Sequence, residues 1–192
     1  QVSVKFARSA SLNIPVLGPL LAKRLRRAGT AVFGSGNTVI RSGNWYGNDT
    51  TWRMVLDLNR CLLFGNPDGS IRTTDPKRYF CIVDGIIGMD GMGPMQGDPV
   101  ESGVLIAGSD PVSVDIVASR VMGFDWEKIP LLKGAVSLKT LPIADIVAAD
   151  INIVSDFTNW NGPFLSVINQ NFLNFVPHFG WKDKIEFKQD SK

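Results

Sequence analysis

The sequence predicts an α/β fold, with a mixed sheet flanked by helices in a single domain. Two short apolar runs rich in β-branched and aromatic residues, 79–83 and 103–107, are typical of strands buried in a sheet. A stretch with clear helix start and stop signals follows the second run. The length of 192 residues suits one domain, so we expect residues 1–192 to fold as a single α/β domain.

The first forty residues predict two further features. The chain opens on the segment QVSVKFA, which has the character of a strand already in progress, and the apolar stretch after it lacks the pattern of a signal peptide. We therefore expect a cytoplasmic protein, and we expect residues 1–40 to be the remainder of a longer N-terminal part. Residues 17–28 combine a short leucine stripe with basic side chains and predict a surface helix.

A second helix is predicted from about residue 50 to residue 64. Asn48 or Asp49 caps its N-terminus, and its core side is expected to carry Val55, Leu58 and Leu62. A short strand is expected later, near residues 151–154. The aromatic residues between 164 and 181 are interpreted as packing residues.

Charged residues recur on one face of this second helix with helical spacing: Asp49, Arg53, Asp57 and Arg60. Two interpretations are open. The first is a ladder of ion pairs in solvent, where each pair contributes only a few tenths of a kcal/mol. The second is a polar network in which Arg53 binds a carboxylate or phosphate group, with Asp49 and Asp57 beside it.

The segment 83–115 is the richest in potential chemistry. It follows the first predicted strand, encloses the second and ends at a helix that Asp110 caps and Pro111 begins. That helix is expected to reach about residue 122, where Gly123 ends it. Loops at the carboxyl ends of strands are where α/β sheets commonly bind ligands. We therefore expect a ligand site in this segment.

Glycines and acidic residues supply the candidate site. Backbone N–H groups at Gly88, Gly91 and Gly93 can approach an anion closely because glycine has no Cβ. Asp84 and Asp90 are candidates for acid–base catalysis or for binding a divalent cation. Asp110, at a helix N-terminus, is a candidate ligand-binding residue, although helix capping alone also explains it.

The glycine spacing fits neither a dinucleotide fingerprint, nor a P-loop, nor an EF-hand. A glycine-rich crossover without a ligand is therefore the alternative interpretation of this segment. In that case its glycines serve the backbone conformation alone.

Composition excludes several classes of protein. With 44% hydrophobic and 20% charged residues, the chain has the make-up of an ordered globular protein. No apolar run approaches the roughly 18 residues that span a membrane, so we expect no membrane partner. Two cysteines, Cys61 and Cys81, and the single histidine His178 are too few for a four-thiolate cluster or a multi-histidine metal site. We therefore expect no iron–sulfur cluster from this chain, and the sequence identifies no other cofactor.

Charge is unevenly distributed, although the formal net charge is only +2. Basic residues dominate the first quarter of the chain, and acidic residues dominate 84–127. The two regions can complement each other within the fold. The basic region has no interleaved aromatic residues to stack on bases, so we expect no nucleic-acid partner.

Three blocks of sequence resemble the family called domain of unknown function 362. They are GNDTTWRMVLDLNRCLLF (47–64), YFCIVDGIIGMDGMGPMQGDP (79–99) and GVLIAGSDPVSVDIVASRVMGFDWEKIPLL (103–132), in the family's order. The resemblance is best over residues 40–135 and implies a mixed α/β fold in a prokaryotic cytoplasm. Many relatives carry a ferredoxin-like pair of iron–sulfur clusters, which implies redox chemistry. This chain lacks the cysteines for such clusters, so it resembles a C-terminal fragment or truncated member without the ferredoxin-like part.

Three functions remain open from the sequence. The first is that the chain is an enzyme or half of one, with Arg53, Asp84 and Asp90 converging in one cleft. The second is that it is a binding module for a small anionic ligand, with or without a divalent cation, at the glycine-rich segment. The third is that it is an accessory to a redox partner protein, or a structural domain without a catalytic site. We favour the small anionic ligand, and the sequence leaves open whether any reaction follows.

Overall fold

The structure is a computed structural model that describes residues 43–93, 96–144, 146–167 and 173–188. All of these residues belong to one unit, Gly43–Lys192. The helix predicted for residues 17–28 and the opening segment QVSVKFA lie outside the described residues.

Helices and short strands alternate along the described chain, so the predicted α/β class is confirmed. The helices are α1 (Thr51–Phe64), α2 (Pro111–Met122), α3 (Pro130–Ser137) and α4 (Phe164–Val167). The strands are β1 (Cys81–Gly85), β2 (Gly88–Met92), β3 (Gln96–Val100), β4 (Val104–Gly108), β5 (Asn152–Ile153) and β6 (Gly162–Pro163). The mixed sheet expected from the sequence is divided into three antiparallel pairs, β1 with β4, β2 with β3 and β5 with β6. The residue pattern indicates strands but carries little information about which strands pair.

Helix α1 begins and ends close to its predicted bounds, but the predicted core face is wrong. Leu58 and Leu62 are 59% and 50% exposed. The helix instead buries Leu56 and Leu63, and the Trp52 and Leu56 side chains lie directly against the backbone of α3. Helix α1 carries apolar side chains on several of its faces, so helical spacing alone does not identify the face that packs.

The N-cap residue of α1 is Thr50, one position after the two predicted candidates, and its own side chain makes no capping hydrogen bond. The side-chain oxygen of Asn48 accepts hydrogen bonds from the Thr50 N–H at 2.9 Å and the Thr51 N–H at 3.4 Å, so it contacts the first turn from outside the helix. The other candidate, Asp49, accepts its hydrogen bonds from the Trp52 and Arg53 side chains.

Strands β1 and β4 are paired in register from Cys81 opposite Gly108 to Gly85 opposite Val104. Both were predicted to be buried, and this part of the prediction is wrong. Residues alternate between half-buried and exposed along each strand, and Ile82 and Leu105 project from the exposed face. Continuous apolar runs are typical of strands covered on both faces, whereas within the described residues only one face of this pair is covered.

The glycine-rich segment between β1 and β4 contains the β2–β3 hairpin, where the sequence analysis expected a loop. Asp90 lies opposite Asp98, and Gly91 lies opposite Gly97. Glycine has low strand propensity, so the pattern of residues does not reveal this hairpin. The strands form because their backbone groups pair, while the small side chains allow other parts of the chain to approach closely.

Helix α2 follows its predicted signals closely. The Asp110 carboxylate accepts a hydrogen bond from the Ser113 N–H at 2.6 Å, Pro111 is the first helical residue, and Gly123 ends the helix with a left-handed φ of 94°. The short strand expected near 151–154 is present as β5.

Helix α2 is also the centre of the hydrophobic core. Ile116 is 0% exposed and packs in one cluster with residues of α1, α3 and α4, including Leu63, Leu132 and Phe164. The core therefore fixes the orientation of the helix whose N-terminus borders both clefts described below.

One cation is buried at the C-terminal end of α2. Arg120 is 7% exposed, and its guanidinium carbon lies 3.5 Å from the centre of the Phe187 ring. Within the described residues, its Nε and Nη1 atoms are buried and make no hydrogen bond. Desolvation lowers the pKa of Arg120, and the nearby charges of Asp125 and Glu127 act in the opposite direction. The aromatic ring thus replaces the carboxylate that a buried guanidinium usually contacts.

Within the described part of the chain, no helix is both long enough and apolar enough to cross a membrane.

Candidate functional site

The charged residues of α1, together with Asp49 just before it, form two separate ion pairs at the surface. Arg53 Nη2 lies 2.7 Å from Asp49 Oδ2, and these side chains are 60% and 65% exposed. Arg60 Nη1 lies 3.0 Å from Asp57 Oδ1, and the Asp57 side chain is also exposed. This geometry is that of the solvated ladder, in which each pair contributes a few tenths of a kcal/mol.

The glycine-rich hairpin is held by the chain itself. The Gly91 N–H donates to the Val176 carbonyl at 2.7 Å, and the Asp90 carboxylate accepts from the Val176 N–H at 3.1 Å. Both groups were candidates for binding a ligand. In the structure they join the hairpin to the segment 173–178.

The other hairpin glycines have different surroundings. A Cβ atom on Gly88 would lie 2.6 Å from a ring carbon of Phe175, so the absence of a side chain is needed for packing there. A Cβ atom on Gly93 would meet only the flexible Met89 side chain, at 3.4 Å. Gly93 therefore has more free space beside it than Gly88.

Asp84 and Asp110 occupy two further positions. Asp84 lies on β1 and accepts a hydrogen bond from the Ile86 N–H at 3.2 Å, at an exposed position. Asp110 caps α2, as described above. Among the described residues, no hydrogen bond or ion pair joins Arg53 to Asp84 or Asp90, and the three lie on α1, β1 and β2 respectively. The structure thus brings together Asp49 with Arg53, and Gly88, Asp90, Gly91 and Gly93 on one hairpin.

A cleft of about 660 Å³ lies beside the N-terminus of α2, and we call it the basic cleft. Asp110 lines it, whereas the other predicted site residues do not. Its floor is apolar and includes the buried side chains of Leu63 and Phe64. Besides the Asp110 carboxylate, its polar lining comprises two cations and four hydroxyl groups: Lys77, Arg78, Thr73, Thr74, Tyr79 and Ser109.

The two cations differ in how they are held. The Lys77 N–H donates to the Leu63 carbonyl at 2.9 Å, and Lys77 Nζ donates to the Leu62 carbonyl at 3.1 Å, so this residue is tied to the end of α1. Arg78 makes no hydrogen bond or ion pair with the described residues and is exposed. Its guanidinium group is therefore available to bind an anion in two-point fashion.

Sequence reasoning did not select Lys77 and Arg78. The available signal was a pair of adjacent cations between the Asp75–Pro76 break and strand β1. Without a fold, nothing indicated that this pair lies opposite the Ser109–Asp110 turn, about 30 residues further along the chain.

The Cys81 thiol lies close to the basic cleft and is influenced by the carboxylates of Asp115 and Asp110. Cys81 Sγ donates to the Gly108 carbonyl at 3.3 Å. Desolvation raises the pKa of Cys81, and the negative charges of Asp115 and Asp110 raise it further. Desolvation also raises the pKa of Asp115, although the residue remains exposed overall. Within the described residues, no group of three or more Cys, His, Asp or Glu side chains is arranged to hold a metal ion.

We expect Cys61 to react with iodoacetamide faster than Cys81, by on the order of tenfold at pH 8, because only the thiolate is nucleophilic. Cys61 is exposed, whereas Cys81 is half-buried and its raised pKa leaves less thiolate. Mass spectrometry of peptides from time-resolved labelling measures both rates. Asp115→Asn removes one negative charge beside Cys81 and should accelerate its labelling. Equal rates for the two thiols in the folded protein would contradict this account.

The described residues form an α/β fold with a cleft beside the N-terminus of its central helix. A family model described as a domain of unknown function (DUF362) matches residues 23–120, just over half of the chain, and the chain belongs to this family. It is also 38% identical over 63 residues to a thylakoid-associated protein of Synechocystis sp.. That match covers 33% of this chain and 20% of the relative, so the chain spans only a small part of the relative's length. No solved structure matches the chain significantly.

Proposed function

We propose that this DUF362 domain binds a small anionic ligand in the basic cleft. The observation that carries the proposal is that Lys77 and Arg78, which has no partner among the described residues, lie above an apolar floor in one cleft with several hydroxyl groups. A phosphate or carboxylate group would contact the cations, and an apolar body would contact Leu63 and Phe64. A cytoplasmic location is part of the same proposal, and cell fractionation tests it.

Local electrostatics support binding on the cationic side of the cleft. The N-terminus of α2 carries a partial positive charge, but the Asp110 carboxylate occupies its Ser113 N–H group. An anion would therefore bind beside Lys77 and Arg78, at a distance from Asp110. A divalent cation such as Mg²⁺ could bridge the bound anion and Asp110, because carboxylate oxygens coordinate Mg²⁺ well.

The site differs from the one centred on the glycine-rich hairpin. There, the Gly91 N–H and the Asp90 carboxylate already have partners within the chain. The roles of Asp84 and Asp90 in catalysis, and of Arg53 in anion binding, stay predictions, and the experiment below includes variants of Asp84 and Arg53.

Thermal shift and calorimetric titration with inorganic phosphate, citrate and a nucleoside triphosphate, with and without Mg²⁺, test the proposal. For an anion that binds, Arg78→Gln is expected to weaken affinity about 10- to 100-fold, because a hydrogen bond to a charged group contributes roughly 1.5–3 kcal/mol. Lys77→Gln should act in the same direction. Lys182→Gln, which removes an exposed cation outside the cleft, is the matched control.

Two outcomes would overturn the proposal. One is binding that Arg78→Gln and Lys182→Gln change equally. The other is binding abolished by Asp84→Asn and Arg53→Ala but unaffected at Lys77 and Arg78, which would place the ligand at β1 and α1. If none of the anions binds, the accessory or structural role becomes the better account.

A further inference from the structure

A second cleft, of about 1040 Å³, lies on the other side of the Ser109–Asp110 turn. Two runs of consecutive residues form its walls: 102–108, which contains β4, and 150–157, which contains β5. Residues of α2, together with Trp160 and Leu173, complete the lining. We call it the acidic cleft because aspartates line it. A cleft between two extended segments is a suitable place for a further extended strand.

The strands on both walls have an unpaired edge. Within the described residues, β4 pairs only with β1, and β5 pairs only with β6. Neither β1 nor β6 contributes to the lining, so the cleft faces the opposite edges of β4 and β5. In an antiparallel pair, alternate residues direct their N–H and C=O groups away from the partner strand. Among the described residues no strand pairs with those groups of β4 and β5, so a further strand could bind them.

Three apolar side chains at the cleft are exposed, although the Phe157 ring also contacts the Trp160 ring edge-on. Val154 is 87% exposed, and Leu105 and Phe157 are exposed as well. Alternate apolar side chains of a bound chain would cover these exposed groups.

The charge of the lining indicates the chemistry of the occupant. Asp110, Asp150 and Asp156 contribute carboxylates, and the lining contains no lysine or arginine. A chain with basic residues complements this charge, whereas an acidic chain is repelled.

We propose that the acidic cleft binds an extended segment of a partner protein, with alternating apolar and basic residues, as a strand added between β4 and β5. The wall of seven residues, 102–108, corresponds to roughly 23 Å of extended chain at about 3.3 Å per residue. The added strand would join two of the two-stranded sheets into one sheet of five strands. Backbone hydrogen bonds would provide affinity, and the alternating side chains would provide selectivity.

This inference does not rest on the proposed function. The basic cleft would take a small anion, and the acidic cleft would take a basic peptide. Ser109 and Asp110 line both clefts, so neither is used as a test variant.

The probe is a fluorescein-labelled, N-acetylated octapeptide of alternating valine and lysine, titrated into the full chain by fluorescence anisotropy. We expect saturable one-to-one binding that Val154→Lys weakens by about tenfold or more, since it places a like charge on the peptide's path. Val154 is almost fully exposed, so this substitution leaves the fold intact. Asp156→Asn should weaken binding to a smaller extent. Asp98→Asn, which removes an exposed carboxylate on β3 outside the cleft, should leave binding unchanged.

Two further measurements separate strand addition from simple charge attraction. The same octapeptide with alternate backbone amides N-methylated keeps its charge but can pair along only one of its two edges, and it should bind at least tenfold more weakly. Hydrogen exchange with the unmodified peptide should slow at alternate amides of β4.

Equal binding of both peptides, or binding indifferent to Val154→Lys, would overturn the proposal. Concentration-dependent dimerisation that Val154→Lys abolishes would assign the cleft to a second copy of this chain, and would likewise overturn the assignment to a partner.

Discussion

Ile116→Ala is expected to lower the free energy of unfolding by about 2–5 kcal/mol, the range for removing a large aliphatic side chain from a packed core. Ile116 is 0% exposed and lies at the centre of α2, where α1, α3 and α4 meet. The truncation removes apolar contacts and leaves a cavity that surrounding helices on several sides cannot easily fill. Urea denaturation of the full chain, followed by circular dichroism, measures the change.

A graded series makes this expectation specific. Ile116→Val removes one methylene group and should cost only about 0.5–1.5 kcal/mol. Ser119→Ala, on the same helix, removes a hydroxyl that donates a hydrogen bond to the Asp115 carbonyl and should change stability by less than about 0.5 kcal/mol. If Ile116→Ala and Ser119→Ala had similar effects, the core would not be centred on α2.

Gly88→Ala is expected to lower the free energy of unfolding by about 1–3 kcal/mol, the usual cost of overpacking. The added methyl group would lie 2.6 Å and 2.8 Å from two ring carbons of Phe175, and 2.9 Å from Ser102 Oγ. Either the aromatic ring or the hairpin must move. Gly93→Ala is the matched control within the same hairpin, because its methyl group would meet only Met89 at 3.4 Å.

The comparison separates two roles for these glycines. If Gly88 serves packing, Gly88→Ala destabilises the protein, and Phe175→Leu in the same chain recovers part of the loss as a measurable coupling. A role of Gly88 in holding an anion would instead appear as lower affinity for phosphate with unchanged stability. Denaturation curves and phosphate titrations on the same variants distinguish the two.

Local signals predicted part of the fold well. Helix α2 carries an N-cap, a proline at its first position and a terminating glycine within its own sequence, and all three act as expected. The β2–β3 hairpin has no such signals. Its stability depends on Val176 and Phe175, which are distant in the chain, so no local pattern could reveal it.

The candidate site was predicted less completely, for a similar reason. The sequence correctly identified the turn at Asp110 as a place where strand gives way to helix, and this turn borders both clefts. Lys77 and the wall residue Val154 reach the clefts from separate segments of the chain. Their convergence is a property of tertiary structure, which charge and spacing along the sequence do not encode.

The attachment of the hairpin to Val176 also has a consequence for biosynthesis. The contact between Asp90 and Val176 joins residues 86 positions apart, and closing so long a loop carries a substantial entropic cost. Asp90 leaves the ribosome well before Val176, so the part of β2 that Val176 contacts is uncovered in the nascent chain. We therefore expect the nascent protein to depend less on chaperones once the segment 173–178 has left the ribosomal exit tunnel.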